Sequence, residues 1–103
     1  MHYVIWEYEV HPDQAATFER FYGPDGAWAR LFRPLRGYLG TELLRDASRP
    51  TRYISIDRWE SSIAYEAQLG RIRAAYERLD AEAAELTLRE RRVGSFDMTA
   101  EHP

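Results

Sequence analysis

The chain has 103 residues, 17 acidic and 14 basic side chains, a net charge of −3 and 45% hydrophobic residues. That length supports one hydrophobic core and not two. The acid excess argues against nucleic acid, which needs a concentrated positive surface, and no uncharged apolar run is long enough to span a bilayer. Cys, Lys and Asn are absent, so disulfides, thiolate metal sites and cysteine nucleophiles are excluded.

In chain order, Tyr3 to Val10 is dominated by β-branched and aromatic residues and reads as a strand. Its apolar start is broken by Glu7 and lacks a basic leader, so no signal peptide is expected and the protein is read as cytoplasmic. His11-Pro12-Asp13 ends the strand and opens a helix, with Pro12 at a first-turn position where its missing N–H costs nothing. Phe18, Phe21 and Tyr22 recur at helical spacing. Gly23 to Gly26 interrupts, and Ala27 to Phe32 forms a short second piece carrying Trp28, Leu31 and Phe32. Pro34 and Gly37 mark a turn. Tyr38 to Arg45 is a second strand, and residues 46–50 form a hairpin loop leading to a third at Tyr53–Trp59.

Ser61 and Ser62 follow as helix caps. Tyr65, Leu69, Ile72, Tyr76, Leu79, Ala83 and Leu86 are spaced by four and three, one stripe of a long helix with Gly70 as its weak point. Glu85 and Arg89 are placed as an i,i+4 pair. Residues 87–90 (TLRE) have the form of a capping box for a fresh terminal turn. Val93 to Met98 is the last strand, so residues 1–98 make one domain and 99–103 a tail.

The order β-α-β-β-α-β is that of ferredoxin-like α+β domains with an antiparallel sheet. Both faces of the strands are substantially apolar: Ile54 and Ile56 oppose Tyr53 and Trp59, and strict alternation sets Tyr38 and Leu44 against Leu39 and Leu43. Helices cover only one face of a sheet, so the other calls for a partner, and a homodimer is the economical answer.

Several stretches carry a resemblance to a known family. They are Val4-Ile-Trp-Glu7, Tyr22-Gly-Pro-Asp-Gly-Ala-Trp28, Pro34-Leu-Arg-Gly-Tyr-Leu-Gly-Thr-Glu-Leu-Leu44, Asp57-Arg-Trp-Glu-Ser61 and Gly94-Ser-Phe96. With them the chain resembles the antibiotic biosynthesis monooxygenase family of the dimeric α/β-barrel superfamily, over Tyr3 to about Phe96. The resemblance implies a small monooxygenase without metal, haem or flavin, acting on an electron-rich aromatic such as a phenol, quinol or polyketide-like molecule. It matches Trp59 to the family's strand-end Trp. The family's partner Asn falls at Ser55, and Ser lacks the amide's two-donor, one-carbonyl geometry. Tyr65, six residues after the Trp, matches a pocket Tyr of some anthrone-type oxygenases, although its spacing also suits a core aromatic on the helical stripe. Haem degradation would need a His about where Gln68 stands, and His2, His11 and His102 all lie near chain or strand ends.

Strand alternation puts Ser55, Asp57 and Trp59 on one face. Asp57 is either a buried general base with a raised pKa or the partner of an arginine. Trp6, Trp28 and Phe32, with Tyr65, are the expected walls for a small aromatic or apolar ligand. Residues 37–40 (GYLG) have the spacing of an RNA-binding loop but no flanking basic residues, and read as a turn. The alternative to an oxygenase is a non-catalytic barrel module that binds an apolar ligand.

Overall fold

The computed structural model describes residues 1–100. Residues 101–103, which include His102 and most of the expected tail, lie outside the described residues. Four strands, β1 (His2–Val10), β2 (Tyr38–Arg45), β3 (Arg52–Trp59) and β4 (Thr87–Asp97), form one antiparallel sheet in the order β2-β3-β1-β4. Helices α1 (Ala15–Tyr22) and α2 (Ala27–Phe32) follow β1, and α3 (Ser62–Leu69) and α4 (Arg73–Ala83) follow β3. This is the ferredoxin-like α+β arrangement. Among the described residues no helix is long and apolar enough to cross a membrane.

The pleat sorts the central strands. Val4, Tyr8 and Val10 of β1 and Tyr53, Ser55 and Trp59 of β3 are buried beneath the helices. Phe18 and Tyr22 of α1 stack at 4.3 Å and pack onto Tyr8. On α2, Trp28 meets Tyr76 of α4 edge-on at 4.8 Å. The core is thus largely aromatic, and most of its ring pairs are tilted or edge-on, the arrangements ring quadrupoles prefer to a face-to-face sandwich.

Strict alternation fails on β2. Tyr38 pairs with Trp59 and Gly40 with Arg58, so Leu39 is an extra residue. Such a bulge resets which side chains face inward. Tyr38, Thr41 and Leu43 all turn toward the helices, while Leu44 is exposed. The pairing of Tyr38 with Leu44 on one face is therefore corrected.

The second helical region is also shorter than its stripe suggests. It runs as α3, a 3-10 turn at Gly70–Ile72, α4 and a closing 3-10 turn at Ala84–Leu86. Ser61 caps α3 by accepting from the Ala64 N–H at 3.1 Å. Residues 87–90 do not start a new helical turn, and the last strand begins at Thr87 rather than Val93. Thr87 and Arg89–Arg92 pair with β1, whose ladder satisfies their backbone groups. Arg89 lies opposite Glu9, so the helical pair with Glu85 does not form. Charged residues on an edge strand are a common protection against unwanted pairing, and here they hide the strand pattern.

The sheet's far face divides in two. One part is polar: Glu7 bonds Arg52 and, at 3.1 Å, Arg91, while Glu9 bonds Arg49. The other carries Tyr3, Ile5, Ile54, Ile56, Leu44 and Phe96, the last two well exposed.

Gly37 joins the two halves. Its carbonyl accepts from the Glu60 N–H at 2.8 Å, its φ is +91°, and an added Cβ would stand 2.7 Å from the Ala64 Cβ. Gly37→Ala is expected to lower stability by about 2 kcal/mol or more, from backbone strain and overlap together; the urea midpoint measures it.

Candidate active site

A small cavity of about 40 Å³ opens between the sheet and the helices. Its floor is the inward row of the sheet: Trp6 and Tyr8 from β1, Thr41 from β2, and Ser55 and Asp57 from β3. Tyr22, Trp28 and Phe32 from the first helical pair and Tyr76 from α4 form walls. Asp80 of α4 and Glu90 of β4, both exposed, complete the lining. Among the described residues no three His, Cys, Asp or Glu side chains are grouped to hold a metal ion.

Five of the residues singled out by sequence therefore come together: Ser55, Asp57, Trp6, Trp28 and Phe32. Two do not. Trp59 is fully buried and stands behind the wall, edge-on to Phe32 at 5.9 Å and to Tyr38 at 5.3 Å. Tyr65 is a further step back, against Trp59 at 5.4 Å and His2 at 5.6 Å. The expectation that they line the pocket is corrected: alternation places Trp59 on the right face, but the β2 bulge and α2 bring Tyr38 and Phe32 over it. Its indole N–H is buried without a hydrogen-bond partner.

Asp57 is the chemically distinctive group. It keeps some surface toward the cavity, yet neighbouring atoms crowd it, and this desolvation pushes its pKa up to about 6 from 3.8, against the lowering effect of a hydrogen bond from Thr41. The Thr41 hydroxyl donates to Asp57 Oδ1 at 2.6 Å and receives a hydrogen bond from the Tyr38 hydroxyl. No arginine reaches Asp57 among the described residues, so the ion-pair alternative is not what the fold builds. Ser55 is bonded to Tyr8 at 2.9 Å. Burial also raises the phenols of Tyr8 and Tyr22, and lifts that of Tyr76 to about 12.

Tyr8, Tyr22, Thr41, Tyr76, Asp80 and Glu90 are the lining residues that sequence reasoning missed. Tyr8 shares the parity of Trp6, and Tyr76 lies on the helical stripe, so both had a signal. Thr41 needed the bulge, and Glu90 needed β4 to start early.

The model of the antibiotic biosynthesis monooxygenase family matches residues 1–71. The chain belongs to that family. Among solved structures, a candidate monooxygenase of this family from Deinococcus radiodurans is similar with a TM-score of 0.76 at 13% identity, covering 100% of this chain and 97% of its own. Another from Bordetella bronchiseptica has a TM-score of 0.75 at 25% identity, covering 96% and 97%. SnoaB, described as a cofactor-independent oxygenase from Streptomyces nogalater, has a TM-score of 0.68 at 19% identity, covering 99% and 96%. No protein of curated function matches the chain.

The stability consequence of Asp57 has a definite sign. Below its ordinary pKa both folded and unfolded chains are protonated there. Between 3.8 and about 6 the folded chain keeps a proton that the unfolded chain has released, so this group's contribution falls as pH rises through that window. Asp57→Asn removes the cost. It is expected to stabilise the protein by about 2 kcal/mol near pH 7, with the gain shrinking toward zero near pH 4; paired urea titrations at the two pH values measure the difference.

Proposed function

We propose that this family member is a cofactor-independent monooxygenase for an electron-rich aromatic molecule, a phenol, quinol or polyketide-like compound. One observation carries the reading: a carboxyl group crowded by its neighbours, with its pKa pushed up to about 6, lies on the floor of an aromatic cavity. Dioxygen is a triplet and reacts slowly with closed-shell molecules. A substrate that has lost a proton donates an electron to it far more readily, so the protein's task reduces to taking that proton and excluding water.

In this reading Asp57 is the base. It removes the substrate's hydroxyl proton, and the anion passes one electron to dioxygen. The pair recombines through a new C–O bond. The O–O bond then breaks; one oxygen stays as a carbonyl, and the other leaves as water with the returned proton and the ring hydrogen. Thr41 and Tyr38 hold the carboxylate in place by their hydrogen bonds. Trp6, Trp28 and Phe32 contact the ring, and Ser55, tied to Tyr8, shapes the floor. Trp59 acts through Phe32, and Tyr65 through Trp59, as positioning residues rather than as contacts.

The same reading takes the domain as residues 1–98, because β4 pairs along β1 and cannot be detached from it, and the working form as a cytoplasmic homodimer. The support for a dimer is the apolar half of the far sheet face, which a monomer leaves in water. A second reading, a non-catalytic module for an apolar ligand, draws on Ser55: its hydroxyl is engaged by Tyr8, and it stands where the family's oxygenases have an Asn.

Oxygen uptake with a panel of quinols and anthrone-like compounds separates the two. The oxygenase reading expects a rate that rises with pH through an inflection near Asp57's pKa, and a loss of about 100-fold or more in Asp57→Asn. If no compound in the panel is consumed faster than in buffer while an aromatic still binds, the module reading holds instead. Sedimentation equilibrium at micromolar concentration is expected to give the dimer mass; a stable folded monomer overturns the dimer.

A further inference from the structure

The cavity between the sheet and the helices is too small for the molecule proposed to occupy it. At about 40 Å³ it has room for a few waters, whereas sites for small organic ligands usually run to roughly 300 Å³ or more. Part of its wall therefore has to yield. The sheet side cannot, because Tyr8, Thr41, Ser55 and Asp57 sit on strands held by the ladder and their side chains are bonded in pairs. The first helical pair is equally fixed. Tyr22 stacks on Phe18, Trp28 lies between Tyr22 and Phe32, and Phe32 packs onto Tyr38 and Trp59.

Tyr76 differs. It is half-buried, and among the described residues its ring neighbours are Trp28 at 4.8 Å and Phe32 at 6.5 Å, while its hydroxyl makes no hydrogen bond. It also lines a second space, a groove of about 290 Å³ at the break between α3 and α4, formed with Leu69, Gly70, Arg73 and Glu77. A Cβ built on Gly70 would meet nothing within 4 Å, so the break itself is uncrowded. The helical cover here is lightly anchored. Helix α3 and the Gly70–Ile72 turn bury no residue and α4 buries only Ala83, the condition under which a segment opens locally at small cost. Tyr8 likewise borders the cavity and an arginine-lined groove on the far face, but there the sheet itself is the partition.

We propose that Tyr76 is the gate of this cavity: its side chain swings from the wall into the groove at the α3–α4 break, joins the two spaces, and so decides how large a molecule reaches Asp57. Taking the cavity as the ligand site rests on the preceding reading; the gating itself does not depend on turnover. A tyrosine on a helix suits the role. Two χ1 rotamers are open to an aromatic residue there, so the ring has a second position to take. No hydrogen bond has to break, and the closest ring contact given up is the edge-on pair with Trp28.

The chain has no cysteine, so one thiol placed on the cavity floor reports access. Ser55→Cys is labelled with methyl and with benzyl methanethiosulfonate, and each rate is divided by that of a free thiol. The benzyl reagent is expected to lag the methyl reagent by about tenfold or more, because a packed wall discriminates by size. Adding Tyr76→Ala is expected to remove most of that lag, and Tyr76→Phe to leave it, since the hydroxyl is unbonded. Thr41→Cys repeats the measurement from the adjoining strand should Ser55→Cys not fold. Asp80→Ala and Leu79→Ala, on the same helix, test entry past the exposed acids and a general loosening of α4. No lag in the parent, a lag that persists in Tyr76→Ala, or one that either control removes equally overturns the proposal. Oxygen uptake with quinols of one to three rings is followed in the protein without the added thiol and in its Tyr76→Ala variant. Uptake together with an unchanged lag removes the gate and leaves the oxygenase. A lag lost in Tyr76→Ala without uptake from any quinol does the reverse.

Discussion

A carboxyl group held in an aromatic layer is the constraint around which this molecule is arranged. Asp57 cannot be surrounded by phenol and indole rings without cost, because desolvation penalises its charged form. The fold supplies one partial compensation, the Thr41 hydroxyl, and that hydrogen bond exists only because Leu39 is bulged out of β2. Without the extra residue, Thr41 would face the opposite side and Asp57 would have aromatic neighbours alone. The Gly37 turn supports the same device. It brings the start of β2 against the start of α3, so that Tyr38 lies over Trp59 and reaches Thr41.

Most of the fold was legible because hydrophobic periodicity and turn residues agree through the first two-thirds of the chain. Ala27–Phe32 and Tyr38–Arg45 have in the structure the bounds their residue patterns suggest. The signal failed where one residue type served two purposes. Residues 87–92 are dense in arginine and glutamate, which suits an edge strand as well as a helix end, and only pairing with β1 decides between them. The site was legible to the same depth. Alternation along β3 put Ser55, Asp57 and Trp59 on the correct face, but one face has depth as well as direction. Which of its residues touches the cavity depends on what α2 lays over the strand end, and that is a tertiary fact. The bulge at Leu39, a single-residue event, leaves no periodic trace.

The two faces of the sheet use charge in opposite ways. On and beside the far face, Glu7, Glu9, Asp46, Arg49, Arg52 and Arg91 neutralise one another in a network of ion pairs, which leaves little net field and a surface that can be covered. Paired charges of this kind set register and orientation more than they add stability. On the helix side the carboxyl groups of Asp57, Asp80 and Glu90 share the cavity lining with no basic residue among those described.

That asymmetry bears on the cofactor-free oxygenation proposed for this site. A base with a pKa near 6 is only moderately strong, so it deprotonates a phenol or quinol well only if the resulting anion is stabilised where it forms. In many active sites that stabilisation comes from donors or cations on the protein. Here the donors at hand are few: the hydroxyls of Tyr22 and Tyr76, kept protonated by burial. Neutral phenols are good hydrogen-bond donors, and a raised pKa keeps them so across the whole physiological range. The walls thus offer donors to a substrate oxygen while the carboxylates oppose a net negative charge.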